Sequence, residues 1–356
     1  MGIDASAKGR LNWKRILFRC FMSFLPIIAL IAFESGTRVF FWIEYGVPGK
    51  RYGIWRRDPD LGAIHKENAY NSMGETNNMG FRNREDVYDP KPAESLRIMA
   101  YGGSMTFCYQ LHTEEAWPAR LEQTMRSQRV GGEKDQVLNA GAVMWSIGHA
   151  YARAQREIPI LKPDYVLIYS GANEPANTEL LEEEGISMEQ LVKQGRFGVF
   201  TKHLSQASWI KRELFTFKIY EKYVAPKAQD ALSAVMHSPP ETYPSGPIPY
   251  VLENYLHVLG EMIQLVKESG GQPVFVVEIT GAPSEKTLYV TSYSRGGAKY
   301  AAEHGALVID PSPILEGSPE DAKSLFVETG VHYSEPGARK FASFLFDRLF
   351  AGHTGP

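Results

Sequence analysis

Residues 96–107 of the chain read LRIMAYGGSMTF. Leu96 to Tyr101 form an apolar run with the length of a buried β-strand. Gly102 and Gly103 follow directly, and two glycines allow the backbone to turn sharply. Ser104 then stands where a helix would begin. The stretch therefore predicts a strand, a tight turn and a helix, with Ser104 at the carboxyl end of the strand.

Four further apolar runs have the same length, and helical spacing of apolar residues fills the gaps between them. The runs are Gln136 to Asn139, Tyr165 to Tyr169, Pro273 to Ile279 and Ala306 to Ile309. The helical patterns are Trp117, Leu121 and Met125; Leu252, Leu256, Leu259, Ile263 and Val266; and Phe341, Phe344, Leu345 and Leu349. Alternating strands and helices predict an α/β fold, with a parallel sheet and helices on both faces.

The composition narrows the functional classes. The chain has 356 residues, 44% of them hydrophobic, which is enough for one sizeable α/β domain with appendages. A net charge of −3 gives no reason to expect nucleic acid as a partner. Cys20 and Cys108 are the two cysteines, so a disulfide framework is not expected and a Cys-rich zinc site is excluded.

The N-terminal segment carries a membrane signal. A basic stretch, residues 1–15, precedes an apolar run from Ile16 to Phe33, about the length that a helix needs to cross a bilayer. The preceding cations predict a cytoplasmic N-terminus and the remaining chain outside. We favour a signal-anchor with its juxtamembrane helix over residues 16–42, contacting lipid through 16–33. A cleaved signal peptide is the alternative, although Leu30 spoils a small-x-small cleavage site before Ala32.

Two regions interrupt the strand–helix rhythm. Residues 43–95 are rich in Gly, Pro, Asn and aromatics and predict an irregular preface that packs on the main domain. The main domain is expected over 96–350. Within it, about 175–249 combines acidic, aromatic-basic and Pro-rich stretches, which predict a partly helical insertion beside the active site.

Chemically capable residues follow the predicted strands and precede the last helix. Ser104 is a candidate nucleophile, with a plain helix N-cap as the structural alternative. Gly141 could present a backbone N–H to an oxyanion, or be a turn glycine. Asn173 could donate a side-chain N–H, or cap a turn. His332 could act as a base from its loop, or be one of nine ordinary histidines.

The order of these signals along the chain resembles the SGNH (GDSL-like) hydrolase superfamily, over roughly Leu96 to Phe350. The resemblance implies a flavodoxin-like three-layer α/β/α sandwich with five parallel strands, and no metal or organic cofactor. It implies Ser104 as nucleophile and His332 as general base. Its oxyanion hole would be the Ser104 and Gly141 backbone N–H groups with the Asn173 side chain. The preface, with Asn78 and Gly80-Phe81-Arg82, also looks like that of membrane-anchored bacterial members.

Two departures from the family pattern affect the site. Gly103 stands where the family often has Asp before the serine. Thr329 stands where the family has Asp three residues before the histidine, and the adjacent Glu328 is the candidate to orient His332 instead. Otherwise a backbone carbonyl holds the imidazole and the site is a Ser–His dyad.

The reading that combines these observations is a serine esterase in the bacterial inner membrane, with its catalytic domain in the periplasm or outside the cell. Its substrate would be an acyl ester, on a polysaccharide or a lipid of the envelope. An O-acyltransferase of an extracellular polysaccharide would use the same residues. A degenerate module that binds without turnover is the alternative from another class, and Thr329 favours it.

Overall fold

The computed structural model describes residues 13–58, 61–128, 132–175, 243–281, 284–327 and 330–350. Most of the predicted insertion, residues 176–242, lies outside this part of the chain, as do Glu328 and Thr329.

A five-stranded parallel sheet forms the centre of the main domain, as the apolar runs predict. Its strands are β6 (Arg97–Gly102), β7 (Gln136–Asn139), β8 (Tyr165–Tyr169), β9 (Gln272–Val276) and β10 (Leu307–Ile309). They lie in the order β10-β9-β8-β6-β7, and every adjacent pair is parallel. β6 thus lies between β8 and the edge strand β7, so it is paired on both sides up to the turn that precedes Ser104.

Helices cover both faces of this sheet, so the main domain is a three-layer α/β/α sandwich. They are α2 (Ser104–Phe107), α3 (Trp117–Gln128), α4 (Ile147–Leu161), α5 (Pro249–Glu268), α6 (Glu285–Glu303), α7 (Pro319–Ser324) and α8 (Glu335–Phe350). Met99 and Tyr101 of β6 pack into the core beneath α4, α5 and α6. Ile98 and Ala100 point into the opposite core, beneath α3 and α8.

The preface contains short strands between its loops, which the sequence pattern does not predict. It contains five short strands: β1 (Arg51–Tyr52), β2 (Trp55–Asp58), β3 (Gly62–His65), β4 (Ala69–Asn71) and β5 (Gly74–Glu75). They form one three-stranded and one two-stranded sheet. Strands of two to four residues are too short to produce a recognisable alternation of apolar and polar residues, which is why the pattern does not predict them.

The preface covers the edge of the central sheet at β7. The Asn83 side chain accepts the Asn139 N–H at 2.9 Å and donates to the Val137 carbonyl at 2.8 Å. The Arg82 N–H donates to the Asn139 carbonyl at 2.9 Å. These bonds continue the ladder, so the unpaired backbone groups of an edge strand are satisfied. The buried Arg82 guanidinium also donates to the Leu111 carbonyl, which ties the preface to the segment after α2.

The N-terminal helix α1 spans Trp13–Tyr45, so it is longer at both ends than the predicted apolar run. Its apolar part, Leu17–Phe40, has 24 residues, and its large apolar side chains, such as Leu25, Ile28 and Ile31, are exposed. At about 1.5 Å per residue this length is sufficient to cross a hydrocarbon core. Glu34 and Arg38 lie one turn apart and form an ion pair at 2.9 Å.

Candidate active site

Ser104 is the first residue of α2, and Gly103 is the N-cap residue before it. The Ser104 hydroxyl is therefore not an N-cap group, which removes the structural alternative for this serine. Glycine is required at Gly102, because a Cβ there would lie 2.1 Å from the Tyr169 carbonyl oxygen of the neighbouring strand. The close approach of β6 and β8 thus explains the turn that presents Ser104.

His332 lies in the loop before α8, and backbone hydrogen bonds fix its position. The Val327 N–H donates to the His332 carbonyl at 2.8 Å, and the Gly330 N–H donates to the Val327 carbonyl at 2.7 Å. Gly330 has φ +68°, a conformation that favours glycine. The neighbouring Tyr333 is buried and forms a bridge with Phe326. These backbone hydrogen bonds join Val327 to His332 and to Gly330, and so hold the residue that carries the imidazole.

The structure brings Ser104 and His332 together, although 228 positions separate them in sequence. His332 Nε2 lies 2.9 Å from Ser104 Oγ, within hydrogen-bond distance. Burial lowers the pKa of His332 below its usual value, because a buried imidazolium loses hydration. The imidazole is therefore neutral near pH 7, the form that can accept the serine proton.

Glu328, the candidate to orient the far side of His332, lies outside the described residues, as does Thr329. Among the described residues, His332 Nδ1 has no hydrogen-bond partner. The Tyr109 ring packs edge-on against the imidazole, with 5.0 Å between ring centroids and 75° between planes. This contact restricts rotation of the His332 ring.

Asn173 follows β8 and lies directly beside the turn that precedes Ser104. Its Nδ2 donates to the Trp145 carbonyl at 2.9 Å. A Cβ built on Gly103 would be only 2.4 Å from the same Nδ2. The amide thus uses the space that a side chain at position 103 would need, and its bond to Trp145 occupies one of the two N–H groups of Nδ2.

Gly141 is also close to helix α2, but its N–H donates to Asn139 Oδ1 at 3.1 Å. A Cβ there would lie 2.6 Å from the Phe107 nitrogen, so close packing is sufficient reason for a glycine. To serve in an oxyanion hole, the Gly141 N–H would have to exchange its partner. Its predicted role stays a prediction.

Two buried carboxyl groups behind Asn173 were not identified from the sequence. Glu174 and Glu278 are both nearly inaccessible to solvent, and burial raises the pKa of each to about 8. Desolvation disfavours the charged form of a carboxyl group. In a sequence, Glu278 is indistinguishable from a surface charge. Glu174 differs, because its position immediately after Asn173 is a signal.

These carboxyl groups predict a dependence of stability on pH. Between about pH 4.5 and 8 the folded state retains protons that the unfolded state has released, so unfolding becomes easier as pH rises. The two protonated carboxyl groups make their full contribution to stability below about pH 4.5, and this contribution is lost by about pH 8. We expect the melting temperature of Glu278→Gln to fall less than that of the wild type between pH 6 and 8.5. An equal decrease of the melting temperature in the two proteins over this pH range would contradict this.

No protein-family model matches the chain, and no curated protein is similar to it in sequence. Three similar solved structures are a G-D-S-L family protein from Desulfitobacterium hafniense, a psychrotrophic esterase from Pseudoalteromonas sp. and an acetylxylan esterase from Geobacillus stearothermophilus. Their sequence identities to the chain are 16, 12 and 15%, and the TM-scores are 0.41, 0.42 and 0.43. The alignments cover 70, 72 and 73% of this chain and 97, 97 and 94% of those proteins. The central sheet and the Ser104–His332 pair of this chain, considered by themselves, agree with the fold that its resemblance to the SGNH hydrolase superfamily implies.

Proposed function

We propose that the chain is a serine esterase that acts through an acyl-serine intermediate. The observation that carries the proposal is the 2.9 Å contact between Ser104 Oγ and His332 Nε2. The Asn173 amide beside Gly103 supports it, because acyl transfer needs a donor for the oxygen that becomes negative.

The proposed reaction begins when His332 Nε2 accepts the Ser104 proton and Ser104 Oγ attacks the ester carbonyl carbon. The carbonyl oxygen becomes negative and accepts hydrogen bonds from the Asn173 amide and the Ser104 N–H. As the tetrahedral intermediate collapses, the imidazolium returns its proton to the leaving alcohol. A second nucleophile, activated by His332, then releases the acyl group. Glu328 remains the proposed group to orient His332, as a carboxylate can accept from Nδ1.

We propose a short acyl ester on a carbohydrate of the cell envelope as the substrate. The apolar helix α1 supports an envelope location, and acylated polysaccharides are abundant there. The acceptor distinguishes an esterase from an O-acyltransferase, because water and a sugar hydroxyl enter at the same step.

The acceptor can be determined by following the acyl group. The purified protein, incubated with an acetylated oligosaccharide and an unacetylated acceptor, is expected to release free acetate with first-order dependence on enzyme. Mass spectrometry of the acceptor provides the comparison in the same sample. Acetylated acceptor without free acetate would replace the esterase proposal by the acyltransferase. Neither product, with any acyl donor, would favour a binding module.

The membrane topology is a separate proposal, with the N-terminus in the cytoplasm and the catalytic domain outside. We expect a C-terminal alkaline phosphatase fusion to be active in bacteria, since this reporter folds only outside the cytoplasm. The protein should remain in the membrane after an alkaline carbonate wash. A stably expressed but inactive fusion would contradict the orientation, and release by carbonate would favour a cleaved signal peptide.

A further inference from the structure

The turn that carries Asn173 is tied to the neighbouring loop by the next residue in the chain. Glu174 Oε1 accepts the N–H of Ile147, the first residue of α4, at 2.8 Å. Two residues earlier, the Trp145 carbonyl accepts from the Asn173 amide at 2.9 Å. The segment after β8 and the segment before α4 are therefore joined twice, once through Asn173 and once through Glu174.

The other side of the same turn is held by Glu278, which follows β9. Its Oε2 accepts the Ala172 N–H at 2.6 Å, and its own N–H donates to Ser294 Oγ at 2.9 Å. Gly171 has φ +146°, and a Cβ there would be 2.7 Å from the Ser294 Cβ. The turn after β8 and helix α6 thus pack in direct contact. Asn173 has a buried glutamate contact immediately before it and another immediately after it.

Packing alone does not explain these two acids. Burying a carboxyl group is costly unless its hydrogen bonds are made, and apolar residues of similar volume would fill the same space. In the described part of the chain, neither Glu174 nor Glu278 forms a salt bridge. Each accepts from a backbone N–H, Glu174 from that of Ile147 in α4 and Glu278 from that of Ala172 in the turn. Glu174 Oε1 also accepts from the Ser170 hydroxyl at 3.4 Å, so the two acids mainly fix the position of the backbone.

We propose that Glu174 and Glu278 are positioning residues, which hold the Asn173 amide where it can donate to the oxyanion. This inference rests on the proposed ester hydrolysis. Misplacing a donor by about 1 Å can cost on the order of 10²-fold in rate. The contacts of Glu174 and Glu278 on both sides of Asn173 therefore affect turnover directly.

The positioning effect of Glu174 depends on the length of its side chain more than on its charge. Glu174→Gln retains the length and the oxygen that accepts from Ile147, and it resembles the protonated acid. Burial raises the pKa of Glu174 to about 8, so the protonated form is the main one at neutral pH. Glu174→Asp retains the carboxyl group but is one methylene shorter, and so it cannot bridge to α4 without moving the turn.

The experiment measures hydrolysis of an aryl acetate at pH 7 by wild type, Glu174→Asp, Glu174→Gln, Asn173→Ala and the double variant Asn173→Ala/Glu174→Asp. We expect Glu174→Asp to lower kcat by about 10- to 10²-fold, with KM within about 3-fold of the wild type. Glu174→Gln should retain kcat within about 3-fold. In the Asn173→Ala background, Glu174→Asp should have little further effect, because both act through one donor.

Each remaining outcome counts against the proposal. An active Glu174→Asp, a Glu174→Gln as slow as Glu174→Asp, or a loss that is undiminished in the Asn173→Ala background would overturn the positioning role and leave the esterase intact. A wild type without hydrolysis overturns both. Should Glu174→Asp fail to fold, Glu278→Asp and Glu278→Gln in the same backgrounds decide by the same criteria.

Discussion

Ser104→Ala is expected to reduce ester hydrolysis on the order of 10⁶-fold, the cost of removing the nucleophile in a comparable Ser–His site. The reason is chemical, since without Oγ no acyl-serine can form. The substitution should leave the fold intact, because Gly103 and not the Ser104 hydroxyl is the N-cap of α2. Steady-state hydrolysis of an aryl acetate measures the loss, and circular dichroism confirms the fold.

His332→Ala provides the matched comparison for Ser104→Ala. Removing the base lowers turnover by about as much as removing the nucleophile, and the two losses are not additive. The double variant should therefore be no slower than either single variant. A folded Ser104→Ala that retained more than a few per cent of wild-type turnover would assign the activity to another residue.

Asn173→Ala is expected to lower kcat by about 10²–10³-fold, the usual cost of one oxyanion donor. KM should change little, because the negative oxygen exists only in the transition state. Gly103→Ala should show a comparable loss, since its Cβ would lie 2.4 Å from Asn173 Nδ2 and displace the amide. The two kcat values and the melting temperatures are the measurements.

The stability of Asn173→Ala distinguishes catalysis from turn formation. The variant loses one hydrogen bond, from Nδ2 to the Trp145 carbonyl, which contributes about 1 kcal/mol. A melting temperature within a few degrees of the wild type, with a large loss of kcat, fits an oxyanion donor. A collapsed melting temperature with normal activity per folded molecule would show that Asn173 is structural.

The strands of the main domain could be predicted because they are buried on both faces. A parallel strand in that position is a continuous apolar run, and Tyr165–Tyr169 has the bounds that the sequence predicts. The predicted helical patterns lie on α3, α5 and α8. The order of Ser104, Asn173 and His332 then identified residues that the fold brings together.

Helix α6 was not predicted, and its composition explains why. Its buried face uses small and polar residues together with tyrosines, among them Thr287, Thr291, Ser294 and Gly297. Such residues bury well where α6 approaches the turn after β8, but they produce no apolar period of 3.6. Helix α6 is important for the site, because its residue Ser294 contacts both Gly171 and Glu278.

The contact between Gly103 and Asn173 could also not be predicted from the sequence. Gly103 could be recognised as a departure from the family pattern, but nothing in the sequence indicates that an amide 70 positions later occupies the space that a side chain at Gly103 would need. Glu278 is a further example, since only the adjacency of β8 and β9 brings it to Ala172. Contacts between loops at one sheet edge depend on strand order, which local patterns do not determine.

Labelling of the folded wild-type protein with a fluorophosphonate is the sharpest test of whether Ser104 forms a covalent acyl intermediate. We expect one adduct per chain, located on Ser104 by peptide mass spectrometry. We also expect no adduct in Ser104→Ala and a strongly slowed reaction in His332→Ala. A folded wild type that forms no adduct, or an adduct that persists in Ser104→Ala, would show that Ser104 is not the nucleophile.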